Sequence, residues 1–356
     1  MNILGTGIVF TRGQGMDSFE RALQEGWRSP GIVPSPPSIH EERRAYLVEH
    51  RTLSDRELMK KVRRADKLSK MAVIAASEAL RNSTGEDINR KKTGIIAATA
   101  LGAHVTTFDF LDNILEYGEA SVSPTTFSNS VHNAAASYIS SVLGTEGPTL
   151  TVTDFFFSFH NALQLAQSWL LEKRCDYILA GVTEQYGSVQ AYVHDTKLTA
   201  APDGRIRPFN FNPTFQVPGE GSVFFLLSHK EADKALCEVH DVLVNTDGCD
   251  VLRGDLDVID TDGLLADESH YLQTLSGEVP VASYTPLFGS IMSGSAFTCA
   301  AGVRMLEKQM IYASPVKENP HGLNIAAETR PGVIELLRCI RYNCYGNKAV
   351  IYLRKK

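Results

Sequence analysis

The chain has 356 residues, of which 43% are hydrophobic and 21% are charged, and its formal net charge is -6. This length and composition can bury a sizeable core in one large or two moderate domains, and the negative charge does not predict nucleic-acid binding. The first residues lack a basic segment followed by an apolar one, no apolar run approaches the ~20 residues of a membrane span, and the six cysteines lack paired spacing. We therefore expect a cytoplasmic protein with reduced thiols, no membrane span and no nucleic-acid partner.

The hydrophobic pattern predicts two successive halves, each built of alternating strands and helices. In chain order it predicts a first half up to residue 228 with a long excursion at 104–129, a strand opening the second half at 236–246, and a loop at 317–329. The acidic residues near that second strand lack the glycine and terminal glutamate of a calcium loop: Asp247, Asp250, Asp255 and Asp257. The sequence thus predicts no metal site and no cofactor.

The most informative segment lies between residues 147 and 184. Its β-branched and apolar residues predict a buried strand at 149–153 and another at 177–181. Between them, apolar residues recur at helical spacing at Phe156, Phe159, Leu163, Ala166 and Leu170. The predicted order is strand, sharp turn, helix, strand.

This segment resembles the β-ketoacyl synthases of the thiolase superfamily, in which the turn reads roughly GPxxxVxTACSSGxxA and the second strand ends in AGGxE. Here Gly147 and Pro148 match the first landmark, and the residues from Ala180 to Glu184 match the second. Counting from either landmark places the nucleophilic cysteine at Phe156, which has no ionisable proton and cannot attack a thioester. The cysteines of the chain fall in predicted strand or helix contexts away from the turn, where a lone cysteine is usually a small core residue.

The resemblance assigns the other catalytic positions in the same way. Asp262 stands at the histidine of a DYVxAHGTxT segment, Thr285 at the lysine and Ser290 at the histidine of a TKxxxGHxxGAAG segment. Of the glycine-rich loop FGFGGTN, only Gly346 and Asn347 keep the pattern. An ionised aspartate accepts hydrogen bonds but donates none, so the resemblance implies a subunit without condensing activity.

The framework of the family is retained while its catalytic groups are not. Segments that look like family strands and helices are residues 1–15, 65–80, 92–103, 123–144 and 207–227. The resemblance therefore implies an α/β fold, a thiolase-like αβαβα layered sandwich of two pseudo-symmetric halves, with a boundary between residues 1–228 and 229–356.

The resemblance further implies a chain-length factor, the inactive partner of a β-ketoacyl synthase heterodimer in type II polyketide, aryl-polyene-like or fatty acid biosynthesis. Such a subunit would meet acyl carrier protein only indirectly, through its active partner, and would close the end of the acyl channel. We expect the wall of that channel to include Phe108, Leu111, Leu115, Thr126 and Phe127, and the subunit interface to include His132, Asn133, Ala135, Ala136, Thr149, Thr151 and Thr153.

Two alternatives remain open from the sequence. One is an acyltransferase or decarboxylase with unconventional chemistry on the same fold, although decarboxylating variants of the family keep the histidines that this chain lacks. The other is a homodimeric acyl-binding scaffold without an active partner. Co-purification with a separate ketosynthase would discriminate the scaffold from the chain-length factor.

Overall fold

The computed structural model describes residues 1–33, 43–83, 88–118, 120, 122–230, 234–246 and 252–356. Asp247 and Asp250 lie outside these residues. The strands are β1 Asn2–Phe10, β2 Gly13–Gln14, β3 Gly31–Val33, β4 Arg43–Ala45, β5 Thr93–Thr99, β6 Thr149–Thr153, β7 Tyr177–Glu184, β8 Gly221–Ser228, β9 Cys237–Thr246, β10 Leu256–Ile259, β11 Val281–Ala282, β12 Met310–Ile311, β13 Arg330–Pro331, β14 Leu336–Tyr342 and β15 Lys348–Arg354. The helices are α1 Met16–Glu25, α2 Arg56–Lys61, α3 Lys67–Arg81, α4 His104–Tyr117, α5 Pro124–Asn129, α6 Ala134–Leu143, α7 Ser158–Leu171, α8 Ser188–Lys197, α9 Tyr271–Thr274 and α10 Ser295–Lys308.

Ten of these strands follow the order β11-β10-β14-β15-β9-β1-β8-β7-β5-β6. From the outer end of each half inward, two parallel pairings are followed by two antiparallel ones: β6-β5-β7-β8-β1 in one half and β11-β10-β14-β15-β9 in the other. The two halves therefore repeat one strand order, and they join where β1 and β9 pair at Asn2 and Ile3. The boundary between residues 228 and 229 itself stays a prediction.

The core is layered around the sheets. Helices α7 and α10 both contact strands of each half, and their apolar residues share one buried cluster with the inner faces of both halves. Helices α3 and α6 cover the outer face of the first half in a second cluster, while α9 and neighbouring loops cover the second half in a third. This arrangement confirms the predicted α/β class and its thiolase-like layering.

Close approach of the first strand to α3 depends on a glycine. A Cβ atom built at Gly7 would lie 2.0 Å from the carbonyl oxygen of Ala75, well inside van der Waals contact. Asp66 caps the N-terminus of helix α3, and its carboxylate accepts a hydrogen bond of 2.9 Å from the amide of Ser69. The N-cap fixes where the helix starts, and the glycine lets it pack directly on the strand.

The strand Thr149–Thr153 forms as predicted, but it is not buried. It is the last strand of the first half, and its side chains are exposed or half-buried because no strand of the described chain pairs with its outer edge. Thr149 and Thr153 are exposed, and Thr151 is half-buried. The expectation that this strand is buried is therefore wrong, and its outer edge lies unpaired on the surface of the described residues.

The residues expected at the subunit interface divide into two groups. His132 and Asn133 are exposed just before α6. Ala135 and Ala136, by contrast, lie inside the protomer with 2% and 0% exposure, in the core shared with α3. Helical periodicity turns these two alanines towards α3, and their place at a subunit interface stays a prediction.

No helix in the part of the chain described above combines the length and apolar character needed to cross a bilayer. Within the same residues, no group of three or more histidine, cysteine, aspartate or glutamate side chains is arranged to hold a metal ion.

Candidate functional site

The turn between β6 and α7, residues 154–157, is held by its own carboxylate. Asp154 Oδ1 accepts hydrogen bonds from the amides of Phe156 and Phe157 at 2.9 and 3.0 Å, and its Oδ2 accepts one from Asn161 Nδ2 at 3.3 Å. Unpaired amides and the positive end of a helix dipole are what would stabilise a thiolate or oxyanion at such a turn. Here those amides already have an anionic partner, so the turn no longer offers an anion site.

Beneath Phe156 lies the buried guanidinium of Arg341, which comes from β14. Its Cζ atom is 5.7 Å from the centroid of the Phe156 ring. Its Nη1 donates hydrogen bonds to Asp260 Oδ2 at 2.6 Å and to Asp262 Oδ2 at 3.1 Å. Each of these three charged side chains is about 2% exposed or less, so the ion triad is sealed from solvent.

Thr285 and Ser290 secure the chain that carries the two aspartates. Thr285 Oγ1 donates a hydrogen bond of 2.6 Å to the carbonyl oxygen of Thr261. Ser290 Oγ donates one of 2.5 Å to the carbonyl oxygen of Asp262 and accepts one of 3.0 Å from the amide of Val217. Both hydroxyl groups are fully buried and act as tethers of the backbone.

The structure therefore brings together all four positions that the resemblance makes catalytic. Phe156 packs over Arg341, Arg341 pairs with Asp262, and Thr285 and Ser290 bond the carbonyl groups of residues 261 and 262. The four positions, from Phe156 to Ser290, span 135 residues of the sequence. Their side chains form a ring, a carboxylate and two hydroxyl groups that are committed to packing, ion pairing or hydrogen bonding.

Burial sets the protonation of the acidic groups at this site. It raises the pKa of Asp262 to about 6, with Arg341 opposing the rise and Asp260 adding to it. Burial, and then the carboxylate of Asp262, raise the pKa of Glu268 to about 8. Glu268 Oε1 accepts a hydrogen bond of 3.2 Å from the amide of Asp262. Burial alone would lower the pKa of Arg341, but Asp260 and Asp262 raise it above its usual range.

His160, on the first turn of α7, is packed and uncharged. Burial and then the charge of Arg341 lower its pKa to about 3, and its ring lies edge-on to Phe157 at 5.6 Å between centroids. Neither ring nitrogen has a hydrogen-bond partner in the described part of the chain. A general base must reach the proton that it abstracts, and no group of the described residues lies within hydrogen-bonding reach of this imidazole.

Glu184, the last residue of β7, accepts hydrogen bonds from two separate segments of the chain near the site. Its carboxylate accepts hydrogen bonds from the Ala100 amide at 2.5 Å, the Thr99 hydroxyl at 3.1 Å and the Ser293 hydroxyl at 2.9 Å. Burial raises its pKa to about 7 against those hydrogen bonds. The glutamate thus fixes the ends of β5 and β7 to the loop that leads into α10.

A cleft of about 390 Å³ opens in front of the turn. Phe155 and Phe156 form one side of it, and the β14–β15 turn, with Cys344 and Tyr345, forms the other. Cys344 is an exposed free thiol. The expectation that every cysteine lies away from the turn is therefore wrong for Cys344, because the pairing of β14 with β15 brings their connecting turn to this cleft.

The residues expected to line an acyl channel lie on an outer face of the protomer. Helices α4 and α5 pack together, with the rings of Phe110 and Phe127 5.6 Å apart. Phe108, Leu111, Leu115 and Phe127 are exposed on this pair, with Leu115 the most exposed at 83%, and Thr126 is half-buried. These positions stay a prediction, since a channel at this face requires a second wall.

Sequence reasoning missed the ion triad, although a signal for it exists. The apolar strand β14 contains two arginines three residues apart, Arg338 and Arg341, and a charge in a buried strand requires a partner. Asp257 and Asp260 have the same spacing, and the parallel register places Asp257 opposite Arg338. The ion pair Arg338–Asp257, at 2.6 Å, is the neighbour of the triad along the two strands.

Comparison with known families agrees with the geometry. The model for "Beta-ketoacyl synthase, N-terminal domain" matches residues 1–232. Two curated relatives are chloroplastic 3-oxoacyl-[acyl-carrier-protein] synthase I of Arabidopsis thaliana, 21% identical over 51% of this chain, and a putative mitochondrial 3-oxoacyl-[acyl-carrier-protein] synthase of Schizosaccharomyces pombe, 27% identical over 49%. The matched segments span only 40% and 43% of those relatives.

Solved structures resemble the whole chain. A β-ketoacyl synthase from Burkholderia phymatum STM815 superposes with a TM-score of 0.82 at 19% identity, covering 100% of this chain and 99% of that one. The ishigamide ketosynthase/chain length factor superposes with a TM-score of 0.84 at 15% identity, covering 100% and 98%. A ketosynthase in complex with a type II polyketide acyl-carrier protein gives 0.79 at 15%, covering 100% and 99%. At these identities the likeness establishes the fold.

The first prediction concerns the turn. In a Cys344→Ser background, Phe156→Cys should give a thiol whose apparent pKa is at or above the ordinary ~8.5, because Asp154 occupies the amides and Arg341 is neutralised by two carboxylates. Adding Asp154→Asn should lower that pKa by about one unit. The measurement is the pH dependence of iodoacetamide alkylation; a thiol pKa well below 8 in the single variant would contradict this account.

The second prediction concerns Glu268 and the pH dependence of stability. A folded-state pKa of about 8 against an ordinary 4.5 means that the folded chain holds the extra proton. Its stabilising contribution is complete below about pH 4.5 and is lost as the pH rises through about 8. Wild type should therefore lose stability relative to Glu268→Gln between pH 5 and pH 8.5, as measured by urea unfolding midpoints, while the exposed control Glu116→Gln should track wild type. Parallel curves for wild type and Glu268→Gln would refute the assignment.

Proposed function

This chain belongs to the β-ketoacyl synthase family, and we propose that within it the protein is a non-catalytic chain-length factor. It would pair with an active β-ketoacyl synthase and limit the length of the acyl chain built there. The products would be of the polyketide, aryl-polyene-like or fatty acid class. Acyl carrier protein would reach the pair through the active subunit, as a partner of the complex.

The observation that carries this proposal is that the space beneath Phe156 is filled by the buried guanidinium of Arg341. Condensation needs a nucleophile that forms a thioester, together with groups that donate a proton or stabilise an oxyanion. Here the nucleophile position is a phenyl ring, and the groups around it are an ion triad with two hydroxyl tethers. Loss of one group would suggest altered chemistry, whereas replacement of all four supports a subunit retained for its shape.

The outer surface supports a partner at the first half of the fold. No strand of the described residues pairs with the outer edge of β6, and exposed apolar residues lie on this strand, at Leu150, and two residues after it, at Phe155. An open strand edge flanked by apolar side chains is a surface that a second protein can cover. The α4–α5 face continues that apolar character, with Phe108 and Leu115 exposed.

Length control by such a subunit is steric. The α4–α5 face would form the far wall of a channel whose other walls belong to the active partner. A growing chain that meets this wall would have to overpack a filled site, which typically costs ~1–3 kcal/mol or more for each added unit. Such a wall needs only large side chains at the distance that the longest permitted acyl chain reaches. It needs no reacting group.

The third prediction tests the pairing and the lack of chemistry together. When this chain is reconstituted with an active β-ketoacyl synthase and acyl-loaded carrier protein, intact mass should show the acyl adduct on the partner and none on this chain, Cys344 included. Leu150→Lys should abolish pairing, because it places a charge on the edge strand, as measured by co-purification.

The matched control is Leu171→Lys, a leucine exposed at the far end of α7. It should leave pairing intact, and both variants should melt like wild type when isolated. A stoichiometric adduct on this chain, or equal pairing by both lysine variants, would overturn the proposal.

The fourth prediction concerns the channel wall. Phe108→Ala, Leu111→Ala, Leu115→Ala or Phe127→Ala should lengthen the product of the reconstituted pair while early condensations keep their rate, since only long intermediates reach the wall. Mass spectrometry of released acyl chains gives the distribution. Tyr192→Ala, an exposed aromatic change on α8, is the control. If none of the four variants shifts the distribution in an intact, active complex, the wall lies elsewhere.

A further inference from the structure

Most of helix α4 is uncovered. Its single buried residue is His104, and the side chains from residue 108 to residue 117 are exposed or half-buried. The first turn anchors the helix: Thr106 Oγ1 donates a hydrogen bond of 3.2 Å to Asp66 Oδ2, and Thr107 Oγ1 donates one of 2.8 Å to the carbonyl oxygen of Ser130. The later turns of α4 therefore present their side chains to whatever lies outside the protomer.

Two stripes run side by side along these later turns. Three exposed apolar residues lie three and four residues apart and so share one face of the helix: Phe108, Leu111 and Leu115. Three exposed acidic residues repeat that spacing one residue later, and we call them the acidic stripe: Asp109, Asp112 and Glu116. The sequence from 104 to 129 contains no lysine or arginine, and the three carboxylates have no ion-pair partner among the described residues.

A cluster of opposite charge lies beside the base of α4. Five exposed basic residues stand within nine positions of the sequence, and we call them the basic cluster: Arg56, Lys60, Lys61, Arg63 and Arg64. In the described part of the chain only Lys60 among them has an ion pair, with Glu57 at 2.7 Å. The carbonyl oxygen of Arg64 accepts a hydrogen bond of 2.7 Å from Asn129 Nδ2, at the end of α5. Together with the bond from Thr106 to Asp66, this contact fixes α4 and α5 next to the basic cluster.

The acidic stripe and the basic cluster are neighbours, yet within the described residues no ion pair joins them. Two adjacent patches of opposite sign are self-complementary across a two-fold axis that passes between them, because each patch of one copy then faces the opposite patch of the other. The contact is made twice in such a dimer, and it also covers the apolar residues beside the acidic stripe. Copies with a net charge of -6 repel each other in random orientations, so this pairing of patches selects one orientation.

We propose that two copies of this chain associate through this face, with the acidic stripe of each copy against the basic cluster of the other. Exposed ion pairs contribute little one by one, so the charges set the orientation and the apolar residues of α4 supply the affinity. The outer edge of β6 is not part of this contact. The proposal does not depend on the chain-length role, because self-association is a property of the isolated chain. A synthase subunit that covered the same helices would compete with it.

The test is analytical ultracentrifugation of the isolated 356-residue chain in about 0.05 M and about 0.5 M NaCl. We expect a monomer–dimer equilibrium whose dissociation constant rises about tenfold or more at the higher salt concentration, because salt screens the two charged contacts. A chain that stays monomeric at concentrations of about 100 µM would overturn the proposal, since dimers with micromolar affinity are populated there. A dimer that is insensitive to salt would overturn it as well.

Charge reversal identifies the surfaces. The first variant reverses the acidic stripe, by Asp109→Lys, Asp112→Lys and Glu116→Lys. The second variant reverses four residues of the basic cluster, by Lys60→Glu, Lys61→Glu, Arg63→Glu and Arg64→Glu. Each variant alone should self-associate about tenfold or more weakly, because like charges then face each other. An equimolar mixture of the two should associate again, since one variant is positive at both patches and the other is negative at both.

Two controls separate this contact from other effects. Lys308→Glu with Lys317→Glu reverses two exposed cations in the second half and should self-associate like wild type. Leu150→Lys, on the edge of β6, should also self-associate like wild type, although it is expected to lose the synthase partner. Circular dichroism checks that each variant is folded. Wild-type self-association of both reversal variants, or a mixture that does not pair, would refute the contact. A monomeric chain whose pairing with a synthase is weakened by the same reversals would assign the face to that subunit and refute self-association.

Discussion

The buried guanidinium of Arg341 is the constraint on which the rest of the site depends. A fully buried cation is tolerated only when its charge is compensated, and both Asp260 and Asp262 are used for this. Those aspartates follow β10, so the ion triad ties the end of that strand to β14 across more than 75 residues of sequence. Removal of Arg341 would leave two carboxylates without their cation in the centre of the protein, which is far more destabilising than loss of a surface pair.

The replaced positions form one mutually dependent set. The hydroxyl groups of Thr285 and Ser290 bond the backbone that presents the aspartates, and Phe156 covers the guanidinium. A histidine or lysine in place of Thr285 or Ser290 would introduce a larger, partly charged group beside an already paired cation. The site is consequently packed as a whole, and a change at one of these positions affects its neighbours.

The family landmarks in the sequence were enough to place the turn at Phe156, and the pattern around it predicted the strand, helix and strand that the structure contains. The ion triad was beyond that reasoning, because it depends on which strands become neighbours, and β10 and β14 are distant in sequence. The edge position of β6 and the approach of Cys344 to the cleft were missed for the same reason. Burial of Ala135 and Ala136 was likewise decided by the orientation of α6 against α3. The local sequence pattern predicted these helices and strands. The pairing of segments that are distant in sequence decided which residues surround each of them.

The open edge of β6 has a consequence for how the protein is maintained in a cell. An uncovered strand edge is a template for pairing with other chains, so in the proposed pair a subunit made in excess would be exposed to aggregation and to quality-control proteases. If the partner covers that edge, only matched copies survive. The ratio of the two subunits would then be set by degradation of the surplus, without any need for equal rates of synthesis.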